Sequence, residues 1–426
     1  MKTALELYDP QIYELIRQEE VRQSGSIRLI PSENYVSKAV MTATGSCLTN
    51  KYSEGYPGRR YYEGQQVTDL VETIAINRAK DLFKADHANM QSYSGSVANL
   101  NAYYTLIKPG DTIMGMALAD GGHLTHGSRG SMTSKIFRSV SYGVNQETGY
   151  IDYDYVRDLA KKEKPNLIIS GATAYPRKID FKIFGEIAKE VGAFHVSDIA
   201  HLSGLVVAGL HMSPVPYADI VSTTTHKTLR GPRGGMLLCR AEHQKALDRT
   251  IIPGQQGGPH MHTIAAVAVA LAEANTPEFG AYAAQVIKNA ARLGEKLKEY
   301  GFKLMTGGTD NHLLLIDLRG SGVTGKMLSK ALDRARIVTN FNSVPGDVAP
   351  PTNPNGLRIG TPAMTTRGLK EEQMDEIASF IKRVADNVDN EGEIAKVSRE
   401  VLLLTSQFPV PEHFIVPNQV KPPFVD

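Results

Sequence analysis

The 426-residue chain has no tryptophan and only two cysteines, Cys47 and Cys239. Two thiols cannot build a disulfide framework or a zinc cluster, and so low a number suits a reducing compartment. Neither sign of charge dominates: 47 basic against 45 acidic residues leave a net +2, with no long basic block. A nucleic-acid footprint is therefore not expected. No run of 18 apolar residues occurs, and Met1-Lys2-Thr3-Ala4-Leu5-Glu6 lacks a signal-peptide core. These absences predict a cytoplasmic chain with small-molecule partners and neither nucleic acid nor membrane among them.

What is present is alternation. Short apolar runs at 111–118, 165–170, 192–197 and 218–221 read as buried strands. Helical stretches at 67–83, 155–162 and 184–191 are interspersed with them, and buried strands separated by helices imply parallel βαβ units. Residues 10–24 are charged and helix-prone. A long amphipathic helix over 279–300 leads toward a smaller α+β region, with a strand at 312–318 and a helix at 326–335. Beyond Thr405, five prolines (409, 411, 417, 422 and 423) predict an extended tail. The expected division is an arm (1–30), a large domain (31–280), a small domain (281–405) and the tail (406–426).

The run from Val221 through Thr224, Thr225, His226 and Lys227 to Gly235 carries the most chemistry. A strand-end lysine that is buried is disfavoured as an ammonium, and the neutral amine suits Schiff-base chemistry with an aldehyde cofactor. The glycines that follow allow close backbone approach to an anion, and Arg230 and Arg233 offer forked donors for phosphate. The plainer reading is a lysine snorkelling out beside a turn. The strand at 193–198 delivers Asp198 to its carboxyl end, 29 residues before Lys227, where open α/β sheets place ligands. Pyridoxal phosphate needs a carboxylate against its ring nitrogen. The alternative for Asp198 is a helix N-cap.

Other candidates carry two readings each. Ser94-Gly95-Ser96 opens a helix and is either a phosphate-binding helix start or an ordinary cap. His123 and His126 are spaced like metal ligands but lack a carboxylate or cysteine at matching spacing, so no metal is expected. Arg358, between apolar residues, is a buried guanidinium that needs an anion: a substrate carboxylate or a structural aspartate. Glu54 lies in a Tyr/Gly-rich loop, either shielded with a raised pKa or a plain surface charge. Gly320 to Lys326 has P-loop spacing, but Met327 stands where magnesium needs a hydroxyl, and Thr324 fits a helix cap better.

Seven stretches in order resemble the serine hydroxymethyltransferase family: Ser32-Glu33-Asn34, Leu48 to Tyr62, Gly121 to Gly127, Thr223 to Gly235, Pro253 to Pro259, Gly307 to His312, and Arg358 to Pro362. The resemblance implies fold type I, the aminotransferase-like α/β fold of pyridoxal-phosphate enzymes. Its large domain has a mostly parallel seven-stranded sheet, and a smaller C-terminal α+β domain follows. It implies interconversion of serine and glycine, with pyridoxal 5'-phosphate covalently on Lys227 and tetrahydrofolate as co-substrate. By the same resemblance Ser94, Gly95 and Ser96 hold the phosphate, and His123 stacks on the ring. Asp198 faces the ring nitrogen, and Thr173 and His201 lie near its phenolic oxygen. Arg358 clamps the substrate carboxylate, with Ser32, Tyr62 and His201 also touching substrate. Glu54 moves protons, while Tyr52, Glu54, Gly257 and Gly258 reach into a neighbouring subunit's site. A homodimer with shared sites follows, with a dimer of dimers as the larger form. Thr224 and Thr225 flank the lysine and tune it. His226 is a specificity position whose side chain is expected to point elsewhere.

Departures from the family pattern gather where folate would lie. Leu118, Gly122, Leu124 and Asn342 match pterin-contacting positions, but Phe341 replaces a lysine and Pro351 to Asn355 replaces a more apolar loop. Pro31, Tyr93 and Asp120 also differ. Two rivals stay open at this point. One is a folate-independent aldolase or transaldolase acting on β-hydroxy amino acids. The other is a catalytically silent dimeric binding protein.

Overall fold

The computed structural model describes residues 3–411; most of the proline-rich tail lies outside the described residues. Seven strands form the main sheet: β1 (His87–Asn89), β2 (Thr112–Met116), β3 (Arg138–Tyr142), β4 (Leu167–Ser170), β5 (Phe194–Asp198), β6 (Ile220–Thr224) and β7 (Gly235–Cys239). They lie side by side in the order β1-β7-β6-β5-β4-β2-β3. Only β7 runs against its neighbours, antiparallel to β1 and β6. Alternate residues divide between the two faces, as the two-residue period of a strand requires. Ile168, Val221, Met236 and Leu238 join one core, while Leu167, Ile169, Ile220 and Leu237 join the other. Both faces are covered, which is why these strands read as unbroken apolar runs.

The helices Tyr153–Glu163 and Phe181–Val191 start two to three residues earlier than apolar spacing suggests. Asp152 and Asp180 cap them through carboxylates that accept from the first-turn N–H groups. The long helix Pro277–Glu299 leads to a second, antiparallel sheet: β8 (Lys303–Leu304), β9 (Leu313–Asp317), β10 (Asn340–Asn342) and β11 (Gly356–Gly360), ordered β8-β9-β11-β10. It has its own core, built on Leu314, Ile316, Leu357 and Ile359. Ile27 and Leu29 join that core because Ile27–Arg28 pairs in parallel with Ile337–Val338. Thr324 caps the helix Gly325–Arg334, its hydroxyl accepting from the Met327 N–H at 3.2 Å. The P-loop-like spacing is thus a strand-to-helix turn.

The helix Gln66–Phe83 buries Thr68, Glu72, Ala75, Ala79 and Phe83. Apolar spacing alone also put Ile74 on the inner face, but it is 45% exposed, in line with Val67 and Leu70. The helices Ala4–Tyr8 and Pro10–Ser24 bury nothing, leaving Leu7, Tyr8 and Leu15 at the surface. Among the described residues no helix is long and apolar enough to cross a membrane.

Gly171, just past β4, has φ +118°, and a Cβ there would lie 2.0 Å from the Asp198 carbonyl oxygen. Gly171→Ala should lower the thermal midpoint more than Gly192→Ala, where φ is +72° but the space is open. Overpacking against backbone adds about 1–3 kcal/mol to the cost of a positive φ. Equal midpoints for the two variants would show that the close packing behind Asp198 carries no weight.

Candidate active site

The carboxyl ends of β5 and β6 open on a cavity of about 390 Å³. Asp198 is the last residue of β5, and Lys227 follows the end of β6 by three residues. Ser94, Gly95 and Ser96 enter from the start of the helix Gly95–Leu106, while Arg358 comes from β11 of the second sheet. Ser32, His123, Thr173, His201 and Thr224 complete the group that sequence reasoning assigned here. Ser94 lines the cavity, and its hydroxyl caps the helix by accepting from the Val97 N–H at 3.3 Å.

Asp198 is held on every side. Its Oδ2 accepts from Asn99 Nδ2 at 2.8 Å and from His126 Nε2 at 3.0 Å, and its Oδ1 from the Ala200 N–H at 2.9 Å. Burial alone would raise this carboxyl, but the His126 bond and the other donors overcome it and hold it well below the usual carboxylate range. His126 Nδ1 in turn accepts the His123 N–H at 3.2 Å, so its Nε2 carries the proton given to Asp198. The fold thus brings a carboxylate to His123 and His126 that their spacing could not reveal, with ligand-type atoms of all three within 4.8 Å. Hydrogen bonding accounts for the His126–Asp198 contact without a metal.

Lys227 is 8% exposed, and burial pushes its ammonium down to about 8, against the pull of Asp198. Its carbonyl accepts from Asn34 Nδ2 at 3.0 Å and from the Arg230 N–H at 3.2 Å. Arg230 does not line this cavity. Its guanidinium sits 4.2 Å from the Tyr282 ring centroid, and Arg233 is the arginine that lines the cavity. His226 was expected to point elsewhere. It lines the cavity too, with a buried Nδ1 that has no hydrogen-bond partner among the described residues.

Arg358 is 9% exposed, and among the described residues no carboxylate forms an ion pair with it. Burial lowers it to about 10. Nη1 donates to the Thr173 carbonyl at 2.7 Å and hydroxyl at 3.0 Å, and Nε donates to Asn340 Oδ1 at 3.2 Å. His201 Nε2 also meets the Thr173 hydroxyl, at 2.9 Å, and His201 Nδ1 meets His312 Nε2 at 3.1 Å. Burial, then the nearby cations, keeps His201 and His312 neutral; His312 falls to about 3.

A second group lies outside this cavity. Tyr52, Glu54 and Tyr62 sit on one ribbon, with the Tyr52 hydroxyl 3.5 Å from Glu54 Oε1 and the Tyr52 and Tyr62 rings stacked at 6.0 Å. Gly257 and Gly258 pack on it; a Cβ on Gly258 would lie 2.5 Å from the Tyr52 ring. Glu54 is half-buried within one chain. Leu118, Gly122, Leu124 and Asn342 do not line the Lys227 cavity, and Leu118 and Leu124 are exposed.

The family model for serine hydroxymethyltransferase matches residues 5–381. The chain belongs to the serine hydroxymethyltransferase family. A serine hydroxymethyltransferase of Acidothermus cellulolyticus is 59% identical over 414 residues, covering 96% of this chain and 97% of the relative. Those of Desulfotalea psychrophila and Sorangium cellulosum are each 56% identical, over 409 and 408 residues, with 96% of both chains covered. The family fold, type I, agrees with the seven-stranded sheet. Sequence reasoning overlooked the residues that fix others: Asn99, Asn340 and His312, and the role of His126.

A lysine held at about 8 should react with an aromatic aldehyde at a rate that rises with pH, with its midpoint there, since only the free amine attacks. Rapid-mixing absorbance on cofactor-free protein measures it. A midpoint near 10.5, the ordinary lysine value, would mean that Lys227 is not held in this environment.

Proposed function

We propose that the chain interconverts L-serine and glycine, with pyridoxal 5'-phosphate as cofactor and tetrahydrofolate as one-carbon acceptor. The observation that carries this reading is a cavity lined by two buried cations, Lys227 and Arg358, and the more exposed Arg233, with no carboxylate ion-paired to Lys227 or Arg358 among the described residues. Lys227, Arg233 and Arg358 line it against Asp198 and Glu33, and Glu33 is already paired with Arg28 at 2.9 Å. A phosphate and an amino-acid carboxylate would compensate the remaining charge. The unpaired His226 Nδ1 and the helix start at Ser94 point to the same kind of ligand. The residues therefore fit pyridoxal phosphate. When bound, that group supplies an aldehyde for amine exchange and a ring that withdraws electrons from the substrate carbon.

In this reading Lys227 Nζ is the anchoring amine, and Thr224 packs at the strand end before it. Asp198, fixed and ionised, keeps a proton on the ring nitrogen. Ser94, Gly95, Ser96 and Arg233 hold the phosphate, with Gly257 and Gly258 from the second group. His123, neutral because burial lowers it to about 4, offers a ring face. Arg358, oriented by Thr173 and Asn340, clamps the substrate carboxylate together with Ser32, Tyr62 and His201. Glu54 takes and returns protons at the hydroxymethyl oxygen. Leu118, Gly122, Leu124 and Asn342 face the pterin, and His226 tunes specificity.

Folate use is favoured over a folate-free aldolase because the match runs through nearly the whole chain and every quoted relative carries the transferase name. A serine-cleavage assay with and without tetrahydrofolate, beside allo-threonine cleavage, tests it; equal serine cleavage without folate would favour the aldolase. A homodimer with shared sites belongs to the same reading. Support comes from the exposed Val67-Leu70-Ile74 stripe, from Tyr52 and Tyr61 at 60% and 58% exposure, and from the separation of Glu54 from its own chain's cavity. A cytoplasmic location suits two free cysteines. We also propose the division into arm, large domain, small domain and tail at residues 30, 280 and 405.

Arg358→Ala should weaken serine binding by about 2–4 kcal/mol while the cofactor remains bound, measured by spectral titration with serine. Unchanged serine affinity would remove the clamp. Mixing inactive Glu54→Gln and Lys227→Ala chains tests sharing. A hybrid dimer then has one site with both lesions and one with neither, and recovers about half of a wild-type dimer's activity. Subunit exchange without recovered activity would return Glu54 to its own chain's site.

A further inference from the structure

We propose that Glu72, which touches neither cavity nor ligand, is a positioning residue that fixes Glu54 through Arg60. The inference rests on the proton-handling reading of Glu54 given above. Glu72 is fully buried on the core-facing side of its helix, where alanine and phenylalanine otherwise stand. A carboxylate there is costly unless paired. Its Oε2 accepts from Arg60 Nη2 at 2.6 Å and its Oε1 from Gln91 Nε2 at 2.7 Å.

Arg60 spends the rest of its fork on the ribbon that carries Glu54. Its side chain is 3% exposed. Nη1 donates to the Ser53 carbonyl and to the Gly55 carbonyl, both at 2.9 Å, and Nε donates to Asp69 Oδ1 at 2.8 Å. Gln91 Nε2 reaches the Gly55 carbonyl as well, at 3.0 Å. The carbonyls on both sides of Glu54 are therefore tied to one buried guanidinium. Glu54's own N–H donates to the Tyr62 hydroxyl at 2.7 Å, and its carbonyl accepts from the Tyr61 N–H at 3.2 Å. Gly55 has φ +90°, and a Cβ would lie 2.6 Å from the Arg59 carbonyl oxygen, so the ribbon has no slack.

This mounting has a direct chemical use. A proton-transfer group acts only from a fixed position, and a displacement of about 1 Å can cost 10²-fold in rate. Glu54 projects from a ribbon whose tip is half-exposed, so rigidity must come from beneath. Without the Glu72 charge, Arg60 keeps only the partly exposed Asp69 as a counterion. It then gains by turning toward water and releasing both carbonyls.

The test uses holoenzyme and four variants: Glu72→Gln, Arg60→Lys, Glu54→Gln and the double variant Glu72→Gln/Glu54→Gln. Glu72→Gln should lower folate-dependent kcat by about tenfold or more with serine KM within about twofold, on the scale of a displaced acid–base group. It should cost much less in the Glu54→Gln background, because its main route to the chemistry is through Glu54. Hydrogen exchange of the peptide spanning residues 52–62 should quicken in Glu72→Gln while the helix start at 95–106 stays protected. Arg60→Lys keeps a charge against Glu72 but loses the fork, and should reproduce both effects even if Glu72→Gln folds poorly. An equal fractional loss in both backgrounds, or unchanged exchange over 52–62, overturns the positioning role. A harmless Glu54→Gln instead sinks the reading of Glu54, and the exchange data separate the two failures.

Discussion

Two cations, Lys227 and Arg358, are buried with no carboxylate paired to either among the described residues, and much of the site follows from that constraint. A charge withdrawn from water must be neutralised, paired, or reserved for a ligand. Lys227 takes the first route in part, its ammonium lowered by burial to about 8. Arg358 stays protonated at working pH even when lowered to about 10, so it remains a buried charge, which suits the anion-binding role proposed for it. Asp198 is the exception that makes the arrangement workable. It stays ionised because three donors hold it, and it partly offsets the lysine without forming a direct bridge to it.

The histidines around the cavity serve the same economy of charge. His123, His201, His226 and His312 are all lowered, chiefly by burial, so none adds a competing positive charge near neutrality. Their hydrogen bonds orient other groups instead. His126 donates one hydrogen bond to Asp198, and the His312–His201–Thr173 chain ends on Arg358. A positive charge on any of these rings would repel Lys227 and Arg358, and neutrality keeps the cavity's net charge available for phosphate and carboxylate.

Much of this was legible in the sequence for a physical reason. Buried parallel strands need unbroken apolar runs, so β2, β4, β5 and β6 were visible, and residues at their carboxyl ends were candidates at once. Asp198 and Lys227 were found that way. The boundaries of the helices were less legible because Asp152 and Asp180 act from beyond the apolar pattern. Residues that fix others were not legible at all. Asn99 lies 99 positions from Asp198 and His312 lies 111 from His201, distances that only the fold closes. Arg230 and Arg233 look alike in a glycine-rich run, and the rings of Tyr282 and Phe279, distant in sequence, decide which one leaves the cavity. The outward face of the helix Gln66–Phe83 misled for a related cause. Val67, Leu70 and Ile74 join no core among the described residues, and spacing cannot distinguish an apolar face that packs from one that stays exposed.

The two groups of site residues differ in how they are held, and the difference is chemical. The cavity residues sit at strand ends, where the sheet supplies rigidity and each side chain needs only a local partner. The Tyr52–Tyr62 ribbon has two residues in each strand and cannot be stable on backbone pairing alone. Its order has to come from side chains beneath it, and a buried ion pair is a directional way to provide that. Apolar packing would bind the ribbon as tightly but would leave the carbonyls beside Glu54 free to turn. A guanidinium fork fixes both at once, which is the property that the proton transfer proposed for Glu54 would require of a thin, partly exposed element.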